Sequence, residues 1–201
     1  MAYDDGDGAF AARAWWLLRC LGHPRVAVLD GGWASWTAED GVVDAIPLPA
    51  PAALARSALS PGTSRGADAA WDAARLIDAA GVAAHVASGG LLLDARATER
   101  YRGDVEPIDR VAGHVPGATS RPYSANLADG RFKPAKTLAW EFDALLAGRP
   151  PSDVVLMCGS GVTACHHLVA MAHAGRDGAR LYAGSWSGWI EDPTHPVAVG
   201  D

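Results

Sequence analysis

A cysteine that precedes a Gly-x-Gly loop is the group in this sequence best suited to chemistry. Cys158 directly follows the apolar run 154–157, and the loop after it leads into a helical pattern. The loop consists of Gly159, Ser160, Gly161, Val162 and Thr163. Two glycines let such a loop curl with its backbone amides pointing inward, and a helix N-terminus adds positive potential. Because this setting favours the nucleophilic thiolate, we predict Cys158 as the nucleophile and the loop as an anion cradle.

The same loop argues against phosphate chemistry. A cysteine phosphatase places an arginine after five intervening residues to clamp phosphate oxygens, and Ala164 stands at that position. The Gly-x-x-x-x-Gly-Lys pattern of nucleotide-binding loops is also absent from the sequence. The loop carries no charged side chain, and this favours sulfur chemistry.

Cys165, His166 and His167 lie close to Cys158 in the chain and are candidate metal ligands by residue type. Consecutive residues of a helix project about 100° apart, so these side chains do not readily converge on one ion. We therefore expect no metal site. His114 precedes the turn Val115-Pro116-Gly117, and we expect its ring to bond to backbone rather than to substrate.

Apolar runs alternate with helical patterns around these residues. The predicted strands are Leu91–Asp94, Asp153–Met157 and Ala179–Tyr182, and the predicted helices are Ala69–Ala80, Leu138–Ala147 and Thr163–Ala174. Such alternation predicts an α/β fold in which helices cover both faces of a parallel sheet. Ligands of these folds bind at the carboxyl ends of the strands, which is where Cys158 is expected.

The sequence also contains an internal repeat. The segment Leu29–Trp36 shares its glycine and tryptophan spacing with Tyr182–Trp189, 153 positions further on. Extended without a gap, this offset places Asp5 where the later copy has Cys158. Leu91–Asp94 has no earlier counterpart, so we expect the tail of one domain before a complete second domain.

The repeat gives three predicted segments. They are a noncatalytic remnant at 1–41, a Pro- and Ala-rich linker at 42–67, and a catalytic domain at 68–201. We call 1–41 the first copy and 68–201 the second copy. The first copy would leave a sheet edge and apolar helix surface uncovered, so we expect the chain to self-associate.

Composition limits the partners. The chain has 201 residues, 49% of them hydrophobic, and a net charge of −6. No basic cluster suits nucleic acid or an anionic membrane. The acidic start lacks the pattern of a secretory signal, and no apolar run is long enough to span a membrane, so we expect a cytoplasmic protein. Three cysteines are too few for a disulfide framework.

Together these motifs resemble a known family. The Cys158 loop, the Gly113–Ala118 motif, the Asp94–Gly103 stretch and the Tyr182–Trp189 turn resemble tandem-domain rhodanese-type sulfurtransferases over nearly the whole chain. The uncharged loop is similar to that of 3-mercaptopyruvate sulfurtransferases, whereas thiosulfate enzymes usually carry Arg-Lys after the cysteine. The resemblance also implies that an acidic residue, Asp5 here, replaces the cysteine in the noncatalytic copy.

The resemblance implies a cofactor-free cycle. Cys158 would take sulfur from 3-mercaptopyruvate, release pyruvate, and pass the persulfide sulfur to cyanide or a thiol, including a thioredoxin-like protein. It further implies that Arg100 and Arg110 hold the substrate carboxylate, that Ser160 bonds the substrate, and that Thr163 binds there or caps the helix. Matching Arg110 requires one inserted residue, because the family spacing lands on Asp109.

Two other functions stay open. One is a thiosulfate sulfurtransferase, and the other is a persulfide carrier or an inactive fragment of a longer enzyme. The family's acidic and histidine partners of Ser160 would lie in the part of the first copy that the repeat shows to be missing. The missing counterpart of Leu91–Asp94 therefore favours the interpretation as a persulfide carrier or an inactive fragment.

Overall fold

The computed structural model describes residues 1–23, 25–44 and 71–201, so nearly all of the predicted linker lies outside the described residues. The strands of the described part are β1 Leu76–Ile77, β2 Leu91–Asp94, β3 Thr119–Ser120, β4 Leu127–Ala128, β5 Arg131–Phe132, β6 Val154–Met157 and β7 Arg180–Tyr182. Five of them form a parallel sheet in the order β1-β7-β6-β2-β3, and β4 and β5 form an antiparallel pair.

The helices of the same residues surround this sheet. They are α1 Ala9–Cys20, α2 Gly32–Ala38, α3 Ala79–Ala87, α4 Thr98–Arg102, α5 Ala135–Leu146, α6 Ala164–His173 and α7 Ser185–Trp189. Short 3-10 turns occupy Ala73–Arg75, Tyr123–Asn126 and Pro151–Asp153. None of the described helices is long and apolar enough to cross a membrane.

The central strand β6 divides the core into two layers. Val154 and Leu156 face the layer that contains side chains of α1, α5 and α6. Val155 and Met157 face the other layer, with side chains of α3, α4 and α7. All four strand residues are buried, as expected for a strand covered on both faces. The predicted α/β class with helices on both faces is confirmed.

One predicted element is wrong. The apolar spacing at Ala69–Ala80 predicted a helix, but Leu76 and Ile77 form β1 and pair with Leu181 and Tyr182 of β7. The helix begins afterwards at α3, where the Asp78 side chain accepts a hydrogen bond of 2.8 Å from the Gly81 amide. The backbone of Asp78 is extended, so a helix cannot run through this residue and begins only after its cap. The other predicted strands and helices are confirmed to within three residues at each end.

Positions that the repeat offset pairs share backbone features. Gly32 and Ser185, which the offset pairs, both adopt left-handed conformations, with φ of +58° and +52°. Helices α1 and α6 are also equivalent, and they pack against each other. The aromatic environments differ: Trp186 is fully buried, whereas its counterpart Trp33 is 38% exposed. The domain boundaries and self-association stay predictions.

Candidate active site

Cys158 lies at the floor of a cleft of about 370 Å³ at the carboxyl end of β6. The residue is only 1% exposed, so a reacting group must enter the cleft to reach the sulfur. The other lining residues are Phe10, Ala95, Arg96, Ala97, Arg100, Ile108, Asp109, Tyr123, Gly159, Ser160, Val162, Thr163 and Ser187. The structure thus brings together every predicted site residue except Arg110 and Gly161, a loop residue that does not line the cleft.

The loop after Cys158 presents unused backbone donors. None of the amides of residues 159–163 donates a hydrogen bond to a described residue. The backbone of Cys158 itself is tied down: its amide donates to Ser185 Oγ at 3.0 Å, and its carbonyl accepts from the Trp186 amide at 2.9 Å. The nucleophile is therefore fixed while the loop amides stay available to an anion.

Gly161 is required by this geometry. Its φ is +75°, and a Cβ atom at this position would lie 2.6 Å from the Ala183 carbonyl oxygen. Any side chain would therefore have to displace backbone as well as accept a left-handed conformation. The glycine allows the loop to curl against the turn that follows β7.

Ser185 is a site residue that the sequence analysis missed. Its hydroxyl donates to the Tyr182 carbonyl at 2.9 Å and accepts the amide of Cys158. A buried serine with φ of +52° is unusual, and the surrounding bonds hold it there. The repeat offered a signal, since the offset pairs Ser185 with the turn glycine Gly32.

The first copy shows an equivalent loop that is already occupied. The Asp4 carboxylate accepts amides from Gly6 at 3.1 Å, Gly8 at 3.0 Å and Ala11 at 2.9 Å. The Asp4 carbonyl accepts the Trp33 amide, as the Cys158 carbonyl accepts that of Trp186.

Asp4, rather than the predicted Asp5, is therefore the counterpart of Cys158. The first loop contains one more residue than the second, which a gapless offset does not reveal. Its bonds show that such a loop can gather several backbone donors around one anionic side chain.

Arg100 lies beside the Cys158 loop and also forms hydrogen bonds with two acidic side chains. Its Nη2 donates to Glu106 at 2.7 Å and to Asp109 at 3.2 Å. Its Nη1 makes no hydrogen bond to a described residue and lies 3.6 Å from where a Cβ of Gly159 would be. Burial alone would raise the pKa of Glu106, but hydrogen bonds from Arg100 and two backbone amides hold it below its ordinary value. One guanidinium nitrogen without a described hydrogen-bond partner thus lies beside the Cys158 loop.

Arg110 does not join the cleft. Its guanidinium donates to the Ile190 carbonyl, and it lines a separate cavity beside Asp192 and His195. Asp109 faces Cys158's cleft instead and accepts a hydrogen bond of 2.8 Å from Ser187. The expected role of Arg110 is therefore not supported, and neither Asp109 nor Ser187 was predicted.

The two hydroxyl residues of the loop are placed differently. Ser160 is exposed at the cleft, where it can reach a bound substrate. Thr163 lines the cleft and precedes α6, but its side chain makes no capping hydrogen bond. The proposed capping role of Thr163 is not seen, which leaves its hydroxyl available to the cleft.

The first copy also contributes to the cleft. Phe10 of α1 lines it, and the Asp7 carboxylate accepts a hydrogen bond of 2.6 Å from the hydroxyl of Tyr123. This bond, together with burial, raises the pKa of Tyr123 to about 12, so the phenol stays protonated at neutral pH. No local pattern indicates this contact, which joins residues 116 positions apart.

His114 has the structural role that was expected. Its Nδ1 lies 2.9 Å from the Tyr101 carbonyl, and its ring stacks on that of Tyr101. The residue is buried and does not line the cleft.

The candidate metal ligands make other contacts. Asn126 Nδ2 donates to Nδ1 of His166 at 3.0 Å and of His167 at 2.8 Å. The Cys165 thiol donates to the Gly161 carbonyl at 3.3 Å. Among the described residues, no group of three or more acidic, histidine or cysteine side chains could hold a metal ion.

Burial keeps both helix histidines neutral and predicts acid sensitivity. Desolvation lowers the pKa of His166 from 6.5 to about 4 and that of His167 to about 3. The unfolded chain therefore binds more protons below about pH 6.5, and stability should fall as the pH drops towards 4. Each histidine contributes at most about 1.4 kcal/mol per pH unit.

Urea unfolding between pH 7 and pH 5 measures this slope. His167→Gln should flatten it, since glutamine keeps hydrogen-bonding atoms without titrating. The matched control His173→Gln changes an exposed histidine of the same helix and should leave the slope unchanged. Equal slopes for the wild type and His167→Gln would contradict the prediction.

Comparison with known proteins agrees with this geometry. The rhodanese-like domain family matches residues 1–39 and 70–192. The chain belongs to the rhodanese-like family. This confirms the resemblance that the motifs indicated, and it identifies the Cys158 loop as part of a rhodanese-like fold.

Relatives of this rhodanese-like chain carry sulfurtransferase names. It is 54% identical to a probable 3-mercaptopyruvate sulfurtransferase of Pseudomonas aeruginosa, over 99% of this chain and 67% of the relative. A Mycobacterium tuberculosis protein, provisionally named thiosulfate sulfurtransferase SseB, is 40% identical over 100% of this chain and 66% of its own length.

A solved relative shows the same fold. The crystal structure of SseA from Escherichia coli, described as a 3-mercaptopyruvate sulfotransferase, superposes with a TM-score of 0.67 at 31% identity. It covers 92% of this chain and 65% of the solved chain. The chain thus spans about two thirds of the length of these relatives.

Proposed function

We propose that this rhodanese-like chain is a sulfurtransferase that moves sulfur from 3-mercaptopyruvate to cyanide or a thiol through a Cys158 persulfide. The observation that carries the proposal is the nucleophile itself, a fixed cysteine at the floor of a cleft, beside backbone amides of residues 159–163 that have no described partner. The relatives' names support the donor. The Asp4 loop supports the ability of such amides to hold an anion.

The first half-reaction transfers the donor's sulfur. The Cys158 thiolate attacks the thiol sulfur of 3-mercaptopyruvate, so an S–S bond forms as the C–S bond breaks and its electron pair moves to the pyruvate enolate. The enolate carbon then takes a proton. The proton of the donor's own thiol balances the step, and this leaves pyruvate and a Cys158 persulfide anion. The free loop amides stabilise that anion.

The second half-reaction returns the enzyme to its starting form. Cyanide or an acceptor thiolate attacks the outer sulfur, and the electron pair of the S–S bond returns to Cys158. The products are thiocyanate or an acceptor persulfide. The donor and the acceptor balance the cycle between them, so it needs no further redox partner.

Charge around the cleft favours a carboxylate donor over thiosulfate. The loop residues carry no cationic side chain, and two Arg100 nitrogens are engaged by Glu106 and Asp109. Nη1 of Arg100 is left to meet one carboxylate oxygen, and Ser160 can bond the keto group. A compact dianion would find fewer charge-assisted bonds here.

The donor proposal is tested by comparing the two donors. Cyanolysis of the wild type should favour 3-mercaptopyruvate, and the double variant Gly159→Arg with Ser160→Lys should move the kcat/KM ratio towards thiosulfate by at least about tenfold, since a charge-assisted bond contributes roughly 1.5–3 kcal/mol. The matched control, Gly159→Gln with Ser160→Gln, adds similar bulk without charge and should not produce this shift.

The same measurement separates the other candidate functions. A wild-type preference for thiosulfate would support the activity for which the Mycobacterium tuberculosis relative is named. Persulfide formation without turnover to cyanide or thiols would indicate a sulfur carrier. Absence of both would support an inactive fragment of a longer enzyme.

A further inference from the structure

Each copy donates a side-chain hydrogen bond to the loop of the other copy, and the two donors occupy equivalent helix positions. Arg13 of α1 and His166 of α6 are 153 residues apart, which is the repeat offset. Arg13 Nη1 donates to the Gly161 carbonyl in the Cys158 loop at 3.3 Å. In the opposite direction, His166 Nε2 donates to the Asp7 carbonyl in the first loop at 3.2 Å. Each helix therefore donates a hydrogen bond to a backbone carbonyl in the loop of the other copy.

The contacts of the first loop show the effect of such a hydrogen bond. Asp7 and Gly8 share one peptide unit, whose carbonyl accepts from His166 and whose amide donates to the Asp4 carboxylate at 3.0 Å. The C=O and N–H of a trans peptide point in opposite directions. A donor that fixes the carbonyl on one side therefore aims the amide towards the anion on the other.

The geometry points to Arg13 as a positioning residue for the Cys158 loop, an inference that rests on the proposed function. Its hydrogen bond fixes the Gly161 carbonyl and thereby the direction of the Val162 amide, which belongs to the same peptide unit. Val162 lines the cleft beside Cys158. A catalytic loop in the second copy is thus oriented by a side chain of the noncatalytic first copy.

Charge adds to this orientation. A guanidinium donor polarises the peptide that it binds and strengthens the amide at the other end of that peptide. The Gly161 carbonyl also accepts the Cys165 thiol, which is a weak neutral donor. Without Arg13, that thiol would be the remaining described donor to this carbonyl, and the loop would hold an anion less well.

Several other ionisable groups surround the sulfur and must stay constant in a test. From the cleft wall they are Arg96, Arg100, Asp109 and Tyr123, with Glu106 bound to Arg100 and Asp7 bound to Tyr123. From α6 they are Cys165 and His166. Arg13 Nη1 also lies 3.8 Å from the sulfur of Cys165, so a substitution at Arg13 changes the surroundings of that thiol as well. Repeating the substitution in a Cys165→Ser background assigns a change in the pH profile to the lost contact with the Gly161 carbonyl.

The test uses Arg13→Gln in the full chain, with two readouts. The first is the pH midpoint for alkylation of Cys158 by iodoacetamide, followed by peptide mass spectrometry, which needs no sulfur donor. We expect the midpoint to rise by about one pH unit, equivalent to about tenfold less thiolate in the pH range below the midpoint. The second is the kcat for 3-mercaptopyruvate, which should fall about tenfold at neutral pH with little change in KM.

Two further variants keep the test decisive. Arg13→Lys retains the charge and should move the alkylation midpoint less than Arg13→Gln does. It replaces Arg13→Gln as the test variant if the glutamine variant folds poorly. Arg19→Gln changes an arginine of the same helix that pairs with Asp177 at 2.8 Å, and it should leave both readouts unchanged.

The outcomes separate this inference from the proposed function. A raised alkylation midpoint in Arg13→Gln supports the positioning role even if the wild type does not use 3-mercaptopyruvate. An unchanged midpoint in folded Arg13→Gln and Arg13→Lys, or an equal shift in Arg19→Gln, would overturn it whatever the donor.

Discussion

Replacing Cys158 with serine is expected to abolish persulfide formation and to lower sulfur transfer by more than about 10⁴-fold, because a hydroxyl in the same loop is not a comparable nucleophile at neutral pH. After treatment with 3-mercaptopyruvate, the intact mass of the wild type should rise by one sulfur atom. The Cys158→Ser protein should keep its original mass. Mass spectrometry with and without cyanide measures the gain of that sulfur and its removal.

The other cysteines provide matched controls for this experiment. Burial raises the pKa of Cys165 to about 12, and burial also raises the pKa of Cys20. Both side chains therefore stay as thiols, and Cys165→Ser and Cys20→Ser should still gain one sulfur at Cys158. A label on either residue in the wild type would refute the assignment of the nucleophile.

Gly161→Ala is expected to lower kcat/KM by about 100-fold, since displacement of a catalytic group by about 1 Å can have an effect of this size. The new methyl group would lie against the Ala183 carbonyl, so the loop that supplies the amides must move. The left-handed φ also destabilises the folded state by about 1–2 kcal/mol. Steady-state kinetics and urea unfolding measure the two effects separately.

Gly175→Ala separates the backbone strain from the movement of the loop. Gly175 has a φ of +70°, close to that of Gly161, but a Cβ there meets no atom within 4 Å. It should show a similar loss of stability and nearly normal kcat/KM. Equal activity losses in the two variants would mean that the shape of the Cys158 loop does not determine the rate.

The parts of the site predicted from sequence are those encoded locally. Cys158 and its loop lie where the apolar run and the glycines place them, because a buried strand and a following helix fix the position of the turn between them. Arg100 also reaches the loop. Leu76 and Ile77 were misjudged because their pairing depends on β7, more than a hundred residues away.

The errors in the site arise from single-residue shifts and distant contacts. Arg110 and Asp109 are neighbours, yet one donates to the Ile190 carbonyl and the other lines the cleft, so a one-residue difference in spacing decides which side chain reaches the cleft. A one-residue difference likewise separates Asp5 from Asp4. The bonds of Tyr123 and Arg13 cross between the copies, and no local pattern reports them.

The occupied loop of the first copy has a chemical consequence for the second. A carboxylate oxygen of aspartate lies the same number of bonds from Cα as the outer sulfur of a cysteine persulfide. Asp4 is therefore a permanent analogue of the persulfide anion that we propose for Cys158, and its amide bonds indicate where that sulfur's ligands would lie. Cys158→Asp would carry this analogue into the cleft and fix the loop in a form that resembles the sulfur-loaded state. If the proposed persulfide forms, one polypeptide contains both the reacting loop and a non-reacting reference for its sulfur-loaded form.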